Sequence, residues 1–165
     1  MNEVQRKPTA NPVLRRLDAL VGEWDMEASI AGRPTGRARV TFEPLEAGVF
    51  LIQHADAVPS EIEAPPEWVA NSPFPLTTVI GLDLFSETFY YLYADARGVY
   101  RVYQMSLTDD DWKIWGQSGP EFFQRFTGAF SEDRNTITGR WEASRDGTNW
   151  ETDFDVTYTK AGWRS

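Results

Sequence analysis

The sequence contains no cysteine and only one histidine, His54. Without cysteine, the chain can form no disulfide, supply no thiolate nucleophile and build no cysteine-ligated metal centre. A lone histidine excludes a zinc site with several histidine ligands and argues against a Ser-His-Asp triad. The glycines are isolated and form no phosphate-binding motif of the G-x-G-x-x-G type. We therefore expect neither a metal site nor a bound cofactor.

Positive charge is also scarce: 16 Lys and Arg residues face 25 Asp and Glu residues, which gives a net charge of −9. Nucleic acids and anionic membranes both need basic patches, so neither is an expected partner. No apolar run reaches the ~18 residues of a membrane helix. Residues 1–8 lack the apolar core of a signal peptide. These absences together predict a cytoplasmic protein.

Aromatic residues are abundant, at 14% of 165 residues with seven Trp. This length predicts a single domain over residues 1–165 that is large enough to bury a core. We expect residues 1–10 to form a flexible N-terminal tail. Residues 58–75 are predicted to be a proline-rich loop, because no central strand tolerates their density of proline. This loop is either a surface excursion or the lid or portal of a cavity.

Residues 126–158 are predicted to form three antiparallel strands joined by two polar turns. Across the first turn, at residues 131–135, we predict the pairs Phe130–Ile137, Gly128–Gly139 and Phe126–Trp141. The second turn contains Asp146-Gly147, which is typical of a tight hairpin. It predicts the pairs Ala143–Trp150, Trp141–Thr152, Gly139–Phe154 and Ile137–Val156. Both registers gather apolar side chains on one face, and the second places Arg140 opposite Asp153.

Similar patterns predict the rest of the chain. Asn11 as N-cap and Pro12 at the first position predict a short helix that ends near Gly22. Further strands are expected near residues 24–30, 37–43, 49–56, 76–83, 88–94, 99–107 and 112–118. These strands predict an all-β fold. An open sheet of this size would expose two edges, so we expect the sheet to close. The expected architecture is an antiparallel up-and-down β-barrel of about ten strands, with a short N-terminal helix and room for a cavity.

Five motifs are distributed along the chain: Leu-Val-Gly-Glu-Trp at 20–24, Gly-Val-Phe-Leu at 48–51, Ile-Gly-Leu-Asp at 80–83, Arg-Val-Tyr-Gln-Met at 101–105 and the segment from Trp141 to Trp150. Together they resemble a bacterial family of lipocalin-like proteins, and the resemblance covers nearly the whole chain. The resemblance implies a calycin-type barrel, as in fatty-acid-binding proteins and nitrobindins, but no agreed activity. Nitrobindins bind haem through a histidine on a late strand, and this sequence has none after His54.

The strand at residues 99–107 supplies the main candidate site. The expected pairs with the following strand are Leu107–Trp112, Met105–Ile114, Tyr103–Gly116 and Arg101–Ser118. If this face is the barrel interior, Arg101 and Tyr103 lie inside. A buried guanidinium then needs a carboxylate, a ligand anion or a water network. Otherwise Arg101 lies at the barrel mouth with its charged head in solvent. The apolar surface available to a ligand would include Met105, Trp112, Trp141 and Phe154.

His54 is the only residue whose unperturbed pKa falls near neutral pH. A longer turn around residues 46–48 would place it inside the barrel together with Phe50 and Ile52. A two-residue turn would place it outside. We include His54 among the candidate ligand-binding residues on the first alternative.

Three functions for a ligand cavity remain open at this point, besides a purely structural or interaction role. The first is a binding protein for a small, largely apolar molecule whose polar or anionic end contacts Arg101 and Tyr103. The second is a cofactor-independent enzyme, such as an isomerase, cyclase or hydratase, with His54 or Tyr103 as acid or base. The third is a nitrobindin-like haem protein. The segments 49–55 and 89–93 are apolar on both faces, which also favours a contact outside the barrel, such as a homodimer.

Overall fold

Ten antiparallel strands form a closed barrel in the computed structural model, which describes residues 11–59 and 66–161 except for the side chain of Trp68. The strands are β1 (Gly22–Ile30), β2 (Arg33–Leu45), β3 (Phe50–Ala57), β4 (Leu76–Asp83), β5 (Thr88–Asp95), β6 (Tyr100–Leu107), β7 (Asp111–Gln117), β8 (Phe123–Phe130), β9 (Thr136–Ser144) and β10 (Glu151–Lys160). Each strand pairs with its neighbours in the sequence, and β10 closes the barrel on β1. The predicted all-β, up-and-down barrel is confirmed. The expected tail at residues 1–10 lies outside the described residues.

The predicted N-terminal helix is present as a 3₁₀ helix, Pro12–Ala19. Asn11 caps it, because its side-chain oxygen accepts a hydrogen bond of 3.0 Å from the backbone N–H of Val13. Leu20 follows the helix, and its carbonyl accepts a hydrogen bond of 2.8 Å from the indole of Trp24. This end of the barrel is closed by buried leucines: Leu14, Leu17 and Leu20.

Inward side chains of the strands fill the barrel next to the helix. Trp112 is the centre of this closed core and is only 1% exposed. Its ring contacts Phe42 at a centroid distance of 6.0 Å and Phe126 at 5.1 Å, both edge to face. Such contacts between large rings fix their relative orientation as well as burying them. The core is therefore solid at this end.

Five of the connections between strands lie at the end of the barrel opposite the 3₁₀ helix. Because antiparallel strands alternate in direction, the described connecting residues 31–32, 58–59, 66–75, 96–99, 118–122 and 145–150 all lie there. In the predicted proline-rich loop, residues 60–65 lie outside the described residues, and a short helix, α1 (Pro66–Ala70), follows them. No helix in the described ranges is long and apolar enough to cross a membrane.

One predicted strand register is confirmed in full and a second in part. Across β8 and β9 the pairs are those expected: Phe130–Ile137, Gly128–Gly139 and Phe126–Trp141. Across β6 and β7, Leu107 pairs with Trp112 and Met105 with Ile114, but the paired residues end at Gln104–Trp115 and do not include the expected pairs Tyr103–Gly116 and Arg101–Ser118. The turns between these strands are short, and only one register then places the apolar side chains of both strands inside the barrel.

The predicted register between β9 and β10 is wrong by two residues. Trp141 pairs with Phe154 and Arg140 with Asp155, so Asp153 is not the partner of Arg140. The reason lies in the connection, which is longer than a two-residue turn. The Asp146 carboxylate accepts hydrogen bonds from the backbone N–H groups of Thr148 and Asn149 and so stabilises this longer loop.

A β-bulge at Asp153 accounts for the change of register along β10. The register shifts between Thr152 and Phe154, which leaves Asp153 as the extra residue of a β-bulge. Because the overall error is two residues, Phe154 and Val156 keep the inward positions that were predicted for them, whereas Asp153, predicted on the outer face, lines the cavity. The cross-strand ion pair of Arg140 also survives, with Asp155 as its partner at 2.7 Å.

The outer face of β5 and β6 carries exposed apolar side chains. Leu92 pairs with Val102 across these strands, and the two residues are 38% and 49% exposed. Tyr90 and Phe50 also point outward. These positions agree with the two-sided apolar pattern of the sequence. The homodimer stays a prediction.

Candidate functional site

A cavity of about 830 Å³ opens at the end of the barrel opposite the N-terminal helix. This volume lies within the range of small-molecule sites, ~300–1,000 Å³. The loop at residues 58–75 contributes to its wall through Val58, Val69 and Phe74. Most of the aromatic wall comes from the barrel strands: Tyr91, Tyr93, Tyr103, Trp141, Phe154 and Tyr158.

Tyr103 is the centre of the aromatic wall. Its ring contacts Tyr91 at a centroid distance of 6.0 Å, Tyr93 at 6.5 Å and Trp141 at 5.9 Å. Trp141 in turn lies 6.5 Å from Phe154, with the two rings nearly parallel. Mutual contacts hold these side chains in place, so the wall is preformed for an apolar ligand.

Arg101 lies beside the aromatic wall and has an amide partner. Its guanidinium donates a hydrogen bond of 2.7 Å to Oε1 of Gln124, which also accepts one of 2.5 Å from the Tyr103 hydroxyl. The guanidinium carbon is 4.7 Å from the ring centroid of Phe122, a cation–π distance. Burial raises the pKa of Tyr103, although the charge of Arg101 opposes this effect.

No carboxylate in the described chain forms an ion pair with Arg101. The residue is half-buried and lines the cavity. Its single side-chain bond, to Gln124, leaves most of its N–H donors without an acceptor among the residues that the structure describes. The geometry is therefore that of a fixed cation beside an apolar wall.

Arg97 also lines the cavity, but its charge is neutralised. Its guanidinium donates to the Asp95 carboxylate at 2.6 Å, and the Tyr93 hydroxyl donates to the same oxygen at 2.7 Å. Burial by itself would raise the pKa of Asp95, but these hydrogen bonds outweigh it and lower the pKa to about 2. Burial and the bond to Asp95 raise the pKa of Tyr93.

The Asp95 cluster predicts a pH dependence of stability. Its folded pKa of about 2 lies below the value near 4 of an unfolded chain. The stabilisation is therefore complete above pH ~5 and is lost as the pH falls towards 2. We expect Asp95→Asn to lower the free energy of unfolding by about 1–2 kcal/mol at pH 7 and by much less near pH 2. Urea unfolding at both pH values measures this, and an equal loss at both would contradict it.

Gln53 lies deeper in the barrel and is only 3% exposed. Its Oε1 accepts hydrogen bonds from the hydroxyls of Thr78 at 2.7 Å and Tyr91 at 2.8 Å. Gln53 pairs with Phe42 of the closed core, so it lies towards the floor of the cavity. Burial and the nearby Tyr158 raise the pKa of Tyr91 well above its usual value, so this phenol stays neutral and donates.

Four of the predicted site residues line the cavity: Arg101, Tyr103, Trp141 and Phe154. Met105 and Trp112 face the barrel interior as expected, but they belong to the closed core and not to the cavity wall. The sequence pattern predicts which side chains point inward. It carries no information on where along the barrel axis the core ends and the cavity begins.

The interior placement of His54 is wrong. Its side chain is exposed on the outside of β3, where Nδ1 lies 3.2 Å from the hydroxyl oxygen of Thr77. Leu45 pairs directly with Phe50, so the turn at residues 46–49 gives His54 the same face as a two-residue turn would. Gln53 takes the interior position that was expected for His54.

The sequence interpretation missed several residues of the cavity wall, among them the tyrosines Tyr91, Tyr93 and Tyr158 and the two glutamines Gln124 and Gln53. Gln124 lies two positions before the inward Phe126, so strict alternation along β8 would have placed it inside. Gln53 would have followed from the correct turn before β3. In both cases the detectable feature is a polar side chain at an inward position of a strand.

Within residues 11–59 and 66–161, no group of three or more His, Asp or Glu side chains is arranged to hold a metal ion. A haem in the cavity would find no histidine ligand, because the single histidine lies on the outer surface. The residues present do not fit histidine-ligated haem.

The fold is similar to that in the crystal structure of Rv2717c from M. tuberculosis. The TM-score is 0.57 at 15% sequence identity, and the match covers 91% of this chain and 98% of that chain. No protein-family model and no curated protein matches the sequence. At this identity the likeness shows the fold alone, a ten-strand antiparallel barrel, and gives the calycin-like resemblance coarse support.

Proposed function

We propose that the protein is a small-molecule-binding barrel whose ligand has a largely apolar body and an anionic end. The observation that carries this proposal is Arg101, a cation with no carboxylate partner in the described chain, placed on an aromatic cavity. A carboxylate suits the planar fork of a guanidinium, because two of its N–H groups can donate in parallel.

The aromatic wall supplies the rest of the binding energy. An apolar ligand body that contacts Trp141 and Phe154 gains roughly 25 cal/mol for each Å² withdrawn from water. The wall is held by its own ring contacts, so little conformational entropy is lost on binding. Charge and apolar surface together favour an amphiphilic acid, such as a fatty acid.

A catalytic role has less support from these residues. His54, the expected acid or base, lies outside the cavity. Burial raises the pKa of Tyr103, the other candidate, which keeps its phenol neutral near pH 7 and makes it a poor base. We therefore propose binding in preference to isomerisation, cyclisation or hydration.

The test is direct titration of the purified protein with fatty acids of increasing chain length, followed by intrinsic tryptophan fluorescence. We expect a saturable change, because Trp141 lies on the cavity wall. Native mass spectrometry should show one acid bound per chain, and Trp141→Phe should remove much of the fluorescence change without removing the bound mass. Failure of every chain length to bind in both measurements would overturn the proposal.

A further inference from the structure

Gln53 presents a fixed hydrogen-bond donor to the cavity. Its Oε1 accepts from the hydroxyls of Thr78 and Tyr91. In this arrangement the amide oxygen accepts from both hydroxyls at once, which leaves the NH₂ group for other partners. The network therefore orients the amide with its oxygen towards Thr78 and Tyr91 and its NH₂ away from them.

The NH₂ group of Gln53 has no hydrogen-bond partner within the described residues, but it remains accessible from the cavity. It forms no hydrogen bond within residues 11–59 and 66–161. In that part of the chain, only Thr35 Oγ1 and Trp112 Nε1 are fully buried side-chain polar atoms without a partner. Since Gln53 Nε2 is not one of them, it keeps access to the cavity that Gln53 lines. A buried amide in this state is a strong donor site for a ligand acceptor.

Tyr158 supplies a second buried hydrogen-bond donor on the cavity wall. It is 7% exposed and lines the cavity, and its hydroxyl forms no hydrogen bond within the described chain. It lines the same cavity as Gln53 and Tyr91. Its ring is held against Trp112 at a centroid distance of 5.8 Å.

We propose that the NH₂ of Gln53 and the hydroxyl of Tyr158 form a second polar subsite at the buried end of the cavity, which binds a carbonyl oxygen of the ligand. A carbonyl oxygen has two lone pairs and can accept one hydrogen bond from each of these donors. The inference deepens the proposed function and depends on it. With Arg101 at the open end, the ligand class becomes an oxo-carboxylic acid, with its acid at the mouth and its carbonyl at the floor.

The test compares two probes of equal chain length, an unsubstituted fatty acid and its methyl-ketone analogue with the ketone next to the terminal methyl. We expect the parent protein to bind the keto acid about tenfold more tightly, because the plain acid leaves the donors of Gln53 unpaired. In Gln53→Met and in Tyr158→Phe the two dissociation constants should become nearly equal. Tyr158→Phe removes a hydroxyl without a partner, so it should keep the fold even if Gln53→Met does not.

The outcomes separate this inference from the proposed function. If the parent binds the plain acid and the keto acid equally, the subsite does not exist, while the binding function stands. A preference for the keto acid that persists in Tyr158→Phe and Gln53→Met would also overturn the subsite, because the discrimination would then come from other residues. If the parent binds neither probe, the proposed function itself fails.

Discussion

Replacing Arg101 with leucine is expected to reverse the ligand preference of the barrel, from carboxylic acids to the matched alcohols. The parent offers an acid a fixed guanidinium that no carboxylate of residues 11–59 and 66–161 neutralises. A hydrogen bond to a charged group contributes roughly 1.5–3 kcal/mol, so we expect acids to lose about 10- to 100-fold in affinity. Alcohols should lose little, because they contact mainly the aromatic wall.

The measurement is a pair of fluorescence titrations, acid and alcohol, with the parent and the variant. Arg39→Leu is the matched control: it removes the same charge from an arginine that pairs with Glu23 and Asp25 outside the cavity. The control should keep the preference for acids. Arg101→Lys should keep part of it, because an ammonium has the charge but not the planar fork. If Arg101→Leu and the parent rank the two ligand sets identically, Arg101 is only a residue of the barrel mouth.

Adding a single methyl group at Gly139 is expected to destabilise the barrel strongly. A Cβ at this position would lie 2.3 Å and 2.4 Å from two ring carbons of Phe126, far inside van der Waals contact. The ring cannot easily move, because Trp112 and Trp141 pack against it at 5.1 Å and 5.3 Å. We expect Gly139→Ala to lower the free energy of unfolding by about 1–3 kcal/mol, and Gly139→Val by more.

Gly36 provides the matched control for Gly139. It is also a strand glycine, but a Cβ there would have no atom within 4 Å. We expect Gly36→Ala to change stability by less than about 0.5 kcal/mol. Urea unfolding of the parent, Gly139→Ala and Gly36→Ala measures the difference in the free energy of unfolding. Equal stability of Gly139→Ala and the parent would show that the packing of Phe126 against β9 is incorrect.

Inward and outward positions of most strands could be predicted from the sequence. Alternation places Phe126, Trp141 and Phe154 inside, and the structure agrees. The pairing of β8 with β9 follows from the same pattern, since a slip of one residue would expose a whole apolar face. The choice of Arg101 and Tyr103 as cavity residues also came from this alternation.

The errors share one cause, the geometry of a connection. The Asp146 loop shifts β10 by two residues, and the turn at 46–49 moves His54 to the outside. Each loop conformation depends on local hydrogen bonds and left-handed residues, such as Glu46 and Ala47 with positive φ angles of 50° and 58°. Non-glycine residues adopt positive φ angles infrequently, so these loop conformations could not be predicted from the sequence alone.

That the chain forms an aromatic barrel of about ten strands follows from the sequence alone, because the alternation of polar and apolar residues is a local property of each strand. Which part of the barrel is filled and which part is hollow depends instead on the packing of the whole molecule. Trp112 and Trp141 both point inward, yet one lies in the closed core and the other on the cavity wall. That difference depends on which side chains from distant strands meet at the same level, and on a small helix that fills one end and leaves the other open.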